Sequence, residues 1–450
     1  MAAKKFSVIG GDAAGMSAAS RAKRLDPDID VEVFEMGNWV SYAACGIPYF
    51  VEGKVDRLDQ LQVVTPGEFE KKRDIKINLW HKVEGIDPKA GEIVVTDLEG
   101  GGEKKVSYDS LLIATGASAI VPPGIDVDYA GIFPVRGLDE AKSLDAYIKD
   151  GHCRRAVLIG AGYIGLEMAE ALSERGLSVT VLEMADRVMP AAEEEISAII
   201  AEKLYSRGVK VINGAAADGV ERSGKKLIVS ADGDSYEGDV VVVGIGVRPN
   251  SGLAEEAGLK LGVKKAIHVD RWQKTDADGI YSGGDCAEAY HLIKEENDYI
   301  PLALTANRQG RVVGANIAGK EELFPGMLGS AVTKLFDLEI GRTGIGMKEA
   351  KDLGLDAVKV KVDSFSRAHY YPGGKKIRMA LIVEKGSGRL LGAQMAGEDG
   401  VAHRINHFAT ALGAGLSLEQ IMDLDLAYAP PFSPVWDPVL IGARVARKKV

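Results

Sequence analysis

The chain has 450 residues, too many for one ordinary core and enough for about three domains. Hydrophobic residues make up 46% and are evenly spread, and the net charge is -10, which argues against a general nucleic-acid or membrane-surface binder. Cys45, Cys153 and Cys286 fit neither a disulfide framework nor a zinc site, so a reducing compartment and no metal are expected. Met1 to Phe6 leads directly into a strand pattern without a cleavage signature, and no stretch reaches the roughly 18 apolar residues of a membrane span. A cytoplasmic protein follows as the expectation.

In chain order, Phe6–Ile9 reads as a buried strand, Gly10-Gly11-Asp12-Ala13-Ala14-Gly15 as a turn, and the residues to about Leu25 as a helix. Val31–Phe34 is the next strand, closed by Glu35. A glycine turn lets backbone N–H groups approach a pyrophosphate, and the acid after the second strand takes ribose hydroxyls, so this unit is expected to bind a dinucleotide. Asp12 replaces the middle glycine of the fingerprint. Next comes Ser41-Tyr42-Ala43-Ala44-Cys45-Gly46-Ile47-Pro48-Tyr49, a small-residue turn entering a helix. Cys45 is read there as the reactive group, because an exposed, helix-starting site lowers a thiol's pKa. Arg21 and Arg24 share one helix face, and Lys71-Lys72-Arg73 forms a second basic cluster suited to phosphate. Leu111–Ala117, containing Thr115 and Gly116, is an apolar strand ending in a small turn.

A second unit repeats the chemistry: strand Ala156–Ile159, loop Gly160-Ala161-Gly162-Tyr163-Ile164-Gly165, a helix from Leu166, strand Val179–Leu182 and Glu183. All three glycines are present, so a nicotinamide dinucleotide is expected. Glu183 would repel a 2′-phosphate, favouring NADH, while Arg187 keeps NADPH possible. Val240–Asn250 follows, then Thr275–Asp285, then a helix from about Pro301 to Gly319. From about 327 the pattern changes to short strands at Leu338–Gly341, Val358–Lys361 and Met379–Ile382, with helices near Met347–Leu353 and Val401–Leu412. Tyrosines stand in Ala368-His369-Tyr370-Tyr371-Pro372-Gly373 and Ala427-Tyr428-Ala429-Pro430-Pro431-Phe432-Ser433. His291, His369, His403 and His407 have no metal spacing. No repeat or low-complexity linker is evident.

These loops, Leu111–Ala117, Thr275–Asp285 and the two tyrosine segments together resemble the two-dinucleotide flavoprotein disulfide reductase superfamily, over essentially the whole chain. The resemblance implies an α/β fold with two Rossmann-like domains and an α+β dimerisation domain. It divides the chain into an FAD domain (1–119 and 246–326), an NAD(H) domain (120–245) and a dimer domain (327–450). FAD would be held by Gly10, Gly11, Ala14, Gly15, Glu35, Thr115, Gly116, Asp285, Leu302 and Ala303. The dinucleotide NADH would be held by Gly160, Gly162, Tyr163, Ile164, Gly165, Glu167 and Glu183, with Tyr163 gating the nicotinamide pocket.

Disulfide reductases of this superfamily usually carry two cysteines five positions apart. Here Val40 and Phe50 flank Cys45 at that distance. A lone thiol cycles either through a mixed disulfide with a small thiol or through a sulfenic acid. Those chemistries correspond to the coenzyme A disulfide and persulfide reductases and to the NADH oxidases and peroxidases. Ala13 stands where the oxygen branch places a histidine, which favours the first. By the same resemblance Tyr370 and Tyr428 reach across a homodimer to the partner's Cys45. Ser17, Arg21, Arg24, Ser41, Arg73 and Asn307 would bind coenzyme A. Persulfide reductases of this type often carry a sulfurtransferase domain after the dimer domain. With the sequence ending at Val450, sulfane sulfur is expected from elsewhere.

Overall fold

The computed structural model describes residues 3–151 and 153–450. Two five-stranded parallel sheets and one five-stranded antiparallel sheet organise it. The first sheet runs Ile280–Ser282, Ser110–Ile113, Lys5–Ile9, Asp30–Phe34, Ile75–Asn78, and the second runs Ile132–Pro134, Val240–Val243, Arg155–Ile159, Ser178–Glu183, Lys210–Asn213. The central strands, Phe-Ser-Val-Ile and Ala-Val-Leu-Ile, are buried apolar runs because helices cover both faces of a parallel sheet.

The two sheets share one topology. In each, a glycine loop and helix follow the central strand, and a three-stranded antiparallel meander is inserted before the strand on its other side. The meanders are His81–Asp87, Glu92–Asp97, Glu103–Ser107 and Ala217–Ser223, Lys226–Ala231, Asp234–Gly238. The structure is therefore duplicated although no repeat stands out in the sequence. The short antiparallel pair Ala117–Ala119 with Val247–Pro249 lies where the chain passes between the two halves.

The third sheet has the order Ala331–Leu335, Leu338–Gly344, Leu390–Gly397, Lys376–Glu384, Ala357–Phe365. The helices Val401–Ala414 and Pro438–Arg447 pack on it through Ile405, Phe408, Val439 and Ala443, all buried. The strand Leu390–Gly397, which the sequence reading did not name, is buried at every residue.

Helix Tyr163–Glu174 joins the three parts. Leu166 and Ala169 share a core with Ile47 and Val51 of the helix after Cys45, and with Leu335 and Ile340 of the third sheet. Arg175 donates to Val51 O at 2.8 Å and to Asp145 Oδ1 at 2.7 Å. Glu170 accepts from Phe336 N–H at 2.6 Å and from Lys334. No helix among the described residues is long and apolar enough to cross a membrane.

Candidate active site

Each glycine loop is shaped by contacts that admit no side chain. A Cβ on Gly10 (φ +104) would lie 2.2 Å from Ala114 O, and one on Gly15 2.0 Å from Gly10 O. The second loop repeats this, with 2.7 Å from Gly160 to Gly244 O and 2.1 Å from Gly165 to Gly160 O. The acids behave alike too. Glu35 accepts Gly11 N–H at 2.8 Å and Gly37 N–H at 2.9 Å, and burial pushes its pKa up. Glu183 accepts Ala161 N–H at 2.7 Å and Ala185 N–H at 2.8 Å. Each carboxylate is thereby fixed beside its loop with lone pairs left over for hydroxyl donors.

Helices Ala13–Leu25, Tyr163–Glu174 and Ala303–Ile317 begin at Asp12, Gly162 and Leu302, none with a side-chain cap. Their first N–H groups stay available to an anion. A Cβ on Gly116 or Gly162 would meet nothing within 4 Å, so both border open space. Helices Ala13–Leu25 and Ala303–Ile317 cross closely because Gly310 and Gly314 admit Ala14 O and Ala18 O at 2.2 and 2.3 Å from their notional Cβ positions. That crossing brings Ser17 Oγ to Asn307 Oδ1 at 2.7 Å and sets Leu302 and Ala303 at the head of the second helix. Thr115 and Gly116 are locked by Asn250, which accepts from Thr115 Oγ1 at 2.6 Å and donates to Thr115 O at 2.9 Å. Asp285 pairs with Arg136 at 2.5 Å. These donors and cradles fit two dinucleotides.

Cys45 is exposed and unpaired, within the turn Ala44–Gly46 that enters helix Ile47–Glu52. Its loop is pinned by Ser41 N–H to Gly11 O at 2.9 Å, Val63 N–H to Ser41 O at 2.8 Å and Ala43 N–H to Leu61 O at 2.8 Å. Ser41 takes φ 49 to make both of its bonds. Gly46 packs against Leu61, where a Cβ would lie 2.3 Å from Leu61 Cδ2 and force that side chain to move. The expected depressed thiol pKa is corrected here: surrounding protein and then Glu167 push Cys45 up, and Arg136 only partly opposes them. Glu167 accepts from Thr333 Oγ1 at 2.7 Å, and burial raises its own pKa. Cys286 is buried and Cys153 half-buried, and both are free.

Tyr163 and Ile164 open helix Tyr163–Glu174, and Tyr163 lines a small cavity with Met189, Ile340, Arg342 and Gln394. Arg187 engages Asp186 at 3.4 Å and Pro190 O at 3.4 Å. Arg21 pairs with Glu322 at 3.0 Å, Arg73 donates to Ser20 Oγ at 2.6 Å, and Arg24 is exposed. Ser17, Arg21 and Arg24 thus share a face with Asn307 and Arg73 close by. Tyr370 and Tyr428, 58 positions apart, meet with hydroxyls 3.2 Å apart, and both are exposed, at 63% and 43%. That contact raises the pKa of Tyr428. Sequence reasoning missed Arg136, Asn250 and Gly46. Only Asn250 carried a signal, the Pro249-Asn250 step that ends the buried Val240–Val243 strand and its turn.

Residues 4–310 match the family described as pyridine nucleotide-disulphide oxidoreductase. The chain belongs to that family. Residues 330–438 of this oxidoreductase match the family's dimerisation domain. It is 41% identical over 445 residues to an NAD(P)H coenzyme A polysulfide/persulfide reductase of Pyrococcus horikoshii, covering 99% of this chain and 98% of the relative. An NADH oxidase of Methanocaldococcus jannaschii is 36% identical over 444 residues, covering 98% of each chain. The solved structure of an NAD-dependent persulfide reductase from A. fulgidus superposes with a TM-score of 0.96 at 41% identity, covering 99% of this chain and 83% of that one. Among the described residues no group of three or more His, Cys, Asp or Glu side chains could hold a metal ion.

Proposed function

We propose that this oxidoreductase is an FAD enzyme that uses NADH to reduce coenzyme A persulfide, coenzyme A disulfide or polysulfide through a mixed disulfide on Cys45. The observation that carries this reading is a single exposed thiol with no cysteine partner, in a chain that also builds a Tyr370–Tyr428 hydroxyl pair. The FAD unit is assigned to 1–119 and 246–326, the NAD(H) unit to 120–245, and the dimer unit to 327–450.

Cys45 thiolate attacks the sulfur bonded to coenzyme A. With coenzyme A disulfide this forms Cys45–S–S–CoA and expels CoA–S⁻. With the persulfide it forms the same mixed disulfide and expels HS⁻. The tyrosine pair, reaching Cys45 of a second copy, orients the incoming sulfur and protonates the leaving thiolate. Bound FAD supplies hydride acceptance from NADH and delivery of two electrons. Reduced in that way, Cys45 would return to a thiolate and coenzyme A would leave, so NADH, a proton and CoA–S–S–CoA would balance against NAD⁺ and two CoA–SH. Gly162, Gly165 and Glu183 bind NADH. Gly10, Gly11, Glu35 and Asp285 hold FAD.

Phe432, Val435 and Trp436, which follow Tyr428 closely in the chain, are exposed large apolar side chains and support a homodimer. The serine, arginine and asparagine cluster of Ser17, Arg21, Arg24, Ser41, Arg73 and Asn307 is assigned to coenzyme A, its arginines to phosphate. Three free thiols suit the cytoplasm. An NADH oxidase cycling Cys45 through sulfenic acid is the second reading, supported by the M. jannaschii relative. Anaerobic NADH consumption with coenzyme A persulfide, coenzyme A disulfide, polysulfide and hydrogen peroxide separates the two, repeated with Cys45→Ser. Sulfur turnover that survives in the serine variant would refute the mixed disulfide.

A further inference from the structure

Asp12 occupies the middle position of the first glycine fingerprint and is the N-cap of helix Ala13–Leu25. Aspartate is among the preferred capping residues, yet its side chain makes no capping bond here. Its Oδ1 instead accepts the Tyr42 N–H at 3.1 Å, from the loop that carries Cys45. The Ala14 and Gly15 amides receive no side-chain cap and remain open to an anion, while the Ala13 N–H beside them interacts with the Asp12 carboxyl. An ionised carboxylate there would oppose the charges of a pyrophosphate.

We propose that Asp12 holds a proton when FAD is bound, accepting from Tyr42 through Oδ1 and donating through Oδ2 to the pyrophosphate, so that flavin binding takes up one proton from solvent. This rests on the functional reading only for the presence of FAD.

The groups around Asp12 favour the proton. Burial is the largest influence and raises its pKa to about 6. The Tyr42 and Ala13 N–H groups pull it down, the Glu35 carboxylate pushes it up, and Arg136 pulls it down least of these. Arg136 is already engaged by Asp285 at 2.5 Å and by Ala117 O at 3.1 Å. The Tyr42 hydroxyl, itself raised by burial and by Asp12, stays neutral. Pyrophosphate charge acts in the same direction as Glu35, so the pKa is higher with FAD than without. The bound state is then fully favoured below the FAD-free value and loses ground as pH rises from that value toward the FAD-bound one.

The test dilutes the holoenzyme across about pH 5.5 to 8.5 and reads released flavin by fluorescence. Expected is a Kd for FAD that weakens with a slope approaching tenfold per pH unit above about 6. Asp12→Asn should abolish that slope and bind FAD at least about tenfold more tightly near pH 8. Asp12→Gly, restoring the fingerprint residue, should also remove the slope, and serves if the asparagine variant does not fold. Glu35 is present in every variant, so a slope that survives both changes belongs elsewhere and overturns the proposal. A parental Kd independent of pH overturns it as well. Neither result involves a sulfur acceptor, so the reading of Cys45 stands or falls separately.

Discussion

Gly162 and Gly165 sit in one loop but meet different surroundings, and replacing each by alanine separates folding from coenzyme binding. A methyl at Gly165 would lie 2.1 Å from Gly160 O and 3.0 Å from Gly160 C, backbone atoms that cannot swing away. The turn would have to open by roughly an ångström, and overpacking of that kind costs about 1–3 kcal/mol. Each kcal/mol lowers Tm by about 2–4 °C in chains of 150–250 residues and by less in a longer one, so a drop of a few degrees is expected. At Gly162 the backbone is ordinary (φ -79) and the methyl meets nothing within 4 Å, so Tm should stay within about a degree. If that open space receives the NADH pyrophosphate, the same methyl obstructs it. A loss of about 1.4–2.8 kcal/mol raises the Kd for NADH ten- to a hundredfold. Thermal melts and NADH titrations of the oxidised holoenzyme read both quantities. A Gly162→Ala enzyme with parental NADH affinity would refute the placement of coenzyme on this loop, and an unchanged Tm in Gly165→Ala would refute the contact.

Alkylation of Cys45 by iodoacetamide reports its thiolate: because its pKa is raised, the rate in apoprotein should climb with pH through a midpoint above the ordinary thiol value of 9.0, and Glu167→Gln should bring that midpoint down. A midpoint below 9.0 in the parent would contradict the electrostatics. Tyr370→Phe and Tyr428→Phe should each lower kcat with the sulfur acceptor by about 100-fold, the lower end of general-acid effects. The double variant should be scarcely worse than either single one, because the hydroxyls act as a unit, and multiplicative losses would argue against the pairing. Arg404 and Asp437 form an ion pair at 2.9 Å whose side chains are 6% and 10% exposed. Removing the Asp437 carboxylate with Asp437→Ala should cost about 3–5 kcal/mol in denaturant unfolding, and a loss under about 1 kcal/mol would refute its structural weight.

What the sequence made legible is what local geometry dictates. Gly10, Gly15, Gly160 and Gly165 are readable because a strand, a tight turn and a helix bring carbonyls to within 2.0–2.7 Å of their missing Cβ atoms at fixed spacing. Glu35 and Glu183 follow because the next parallel strand ends beside that turn. Arg136 had no such signal: its partner Asp285 is 149 positions away and is reached only when the turn after Ile280–Ser282 folds against the Ile132–Pro134 region. Gly46 needs Leu61, and Asn250 needs Thr115. The strand Leu390–Gly397 has no polar alternation because both its faces are covered, so period-two reading passes over it. The duplicated topology was hidden for a related reason. Each parallel sheet fixes only the pattern of burial, and many apolar sequences satisfy that pattern equally well.

The electrostatics of Cys45 explain why a helix start alone does not activate it. Helix Ile47–Glu52 has only six residues, so few aligned peptide dipoles stand behind the thiol. Glu167 and Asp285 both raise its pKa, while the cation that lowers it, Arg136, is spent on Asp285 at 2.5 Å. A guanidinium already paired offers a thiolate less than a free one does. The ligand-free chain therefore keeps Cys45 exposed but protonated, a state slow to react with oxidants or alkylating agents. Further anionic phosphate would only raise the thiol's pKa, so what favours the thiolate has to come from outside this set of side chains, as from a second copy of the chain. Reactivity is then tied to assembly of the complete site, and a lone exposed thiol can persist without being consumed between turnovers.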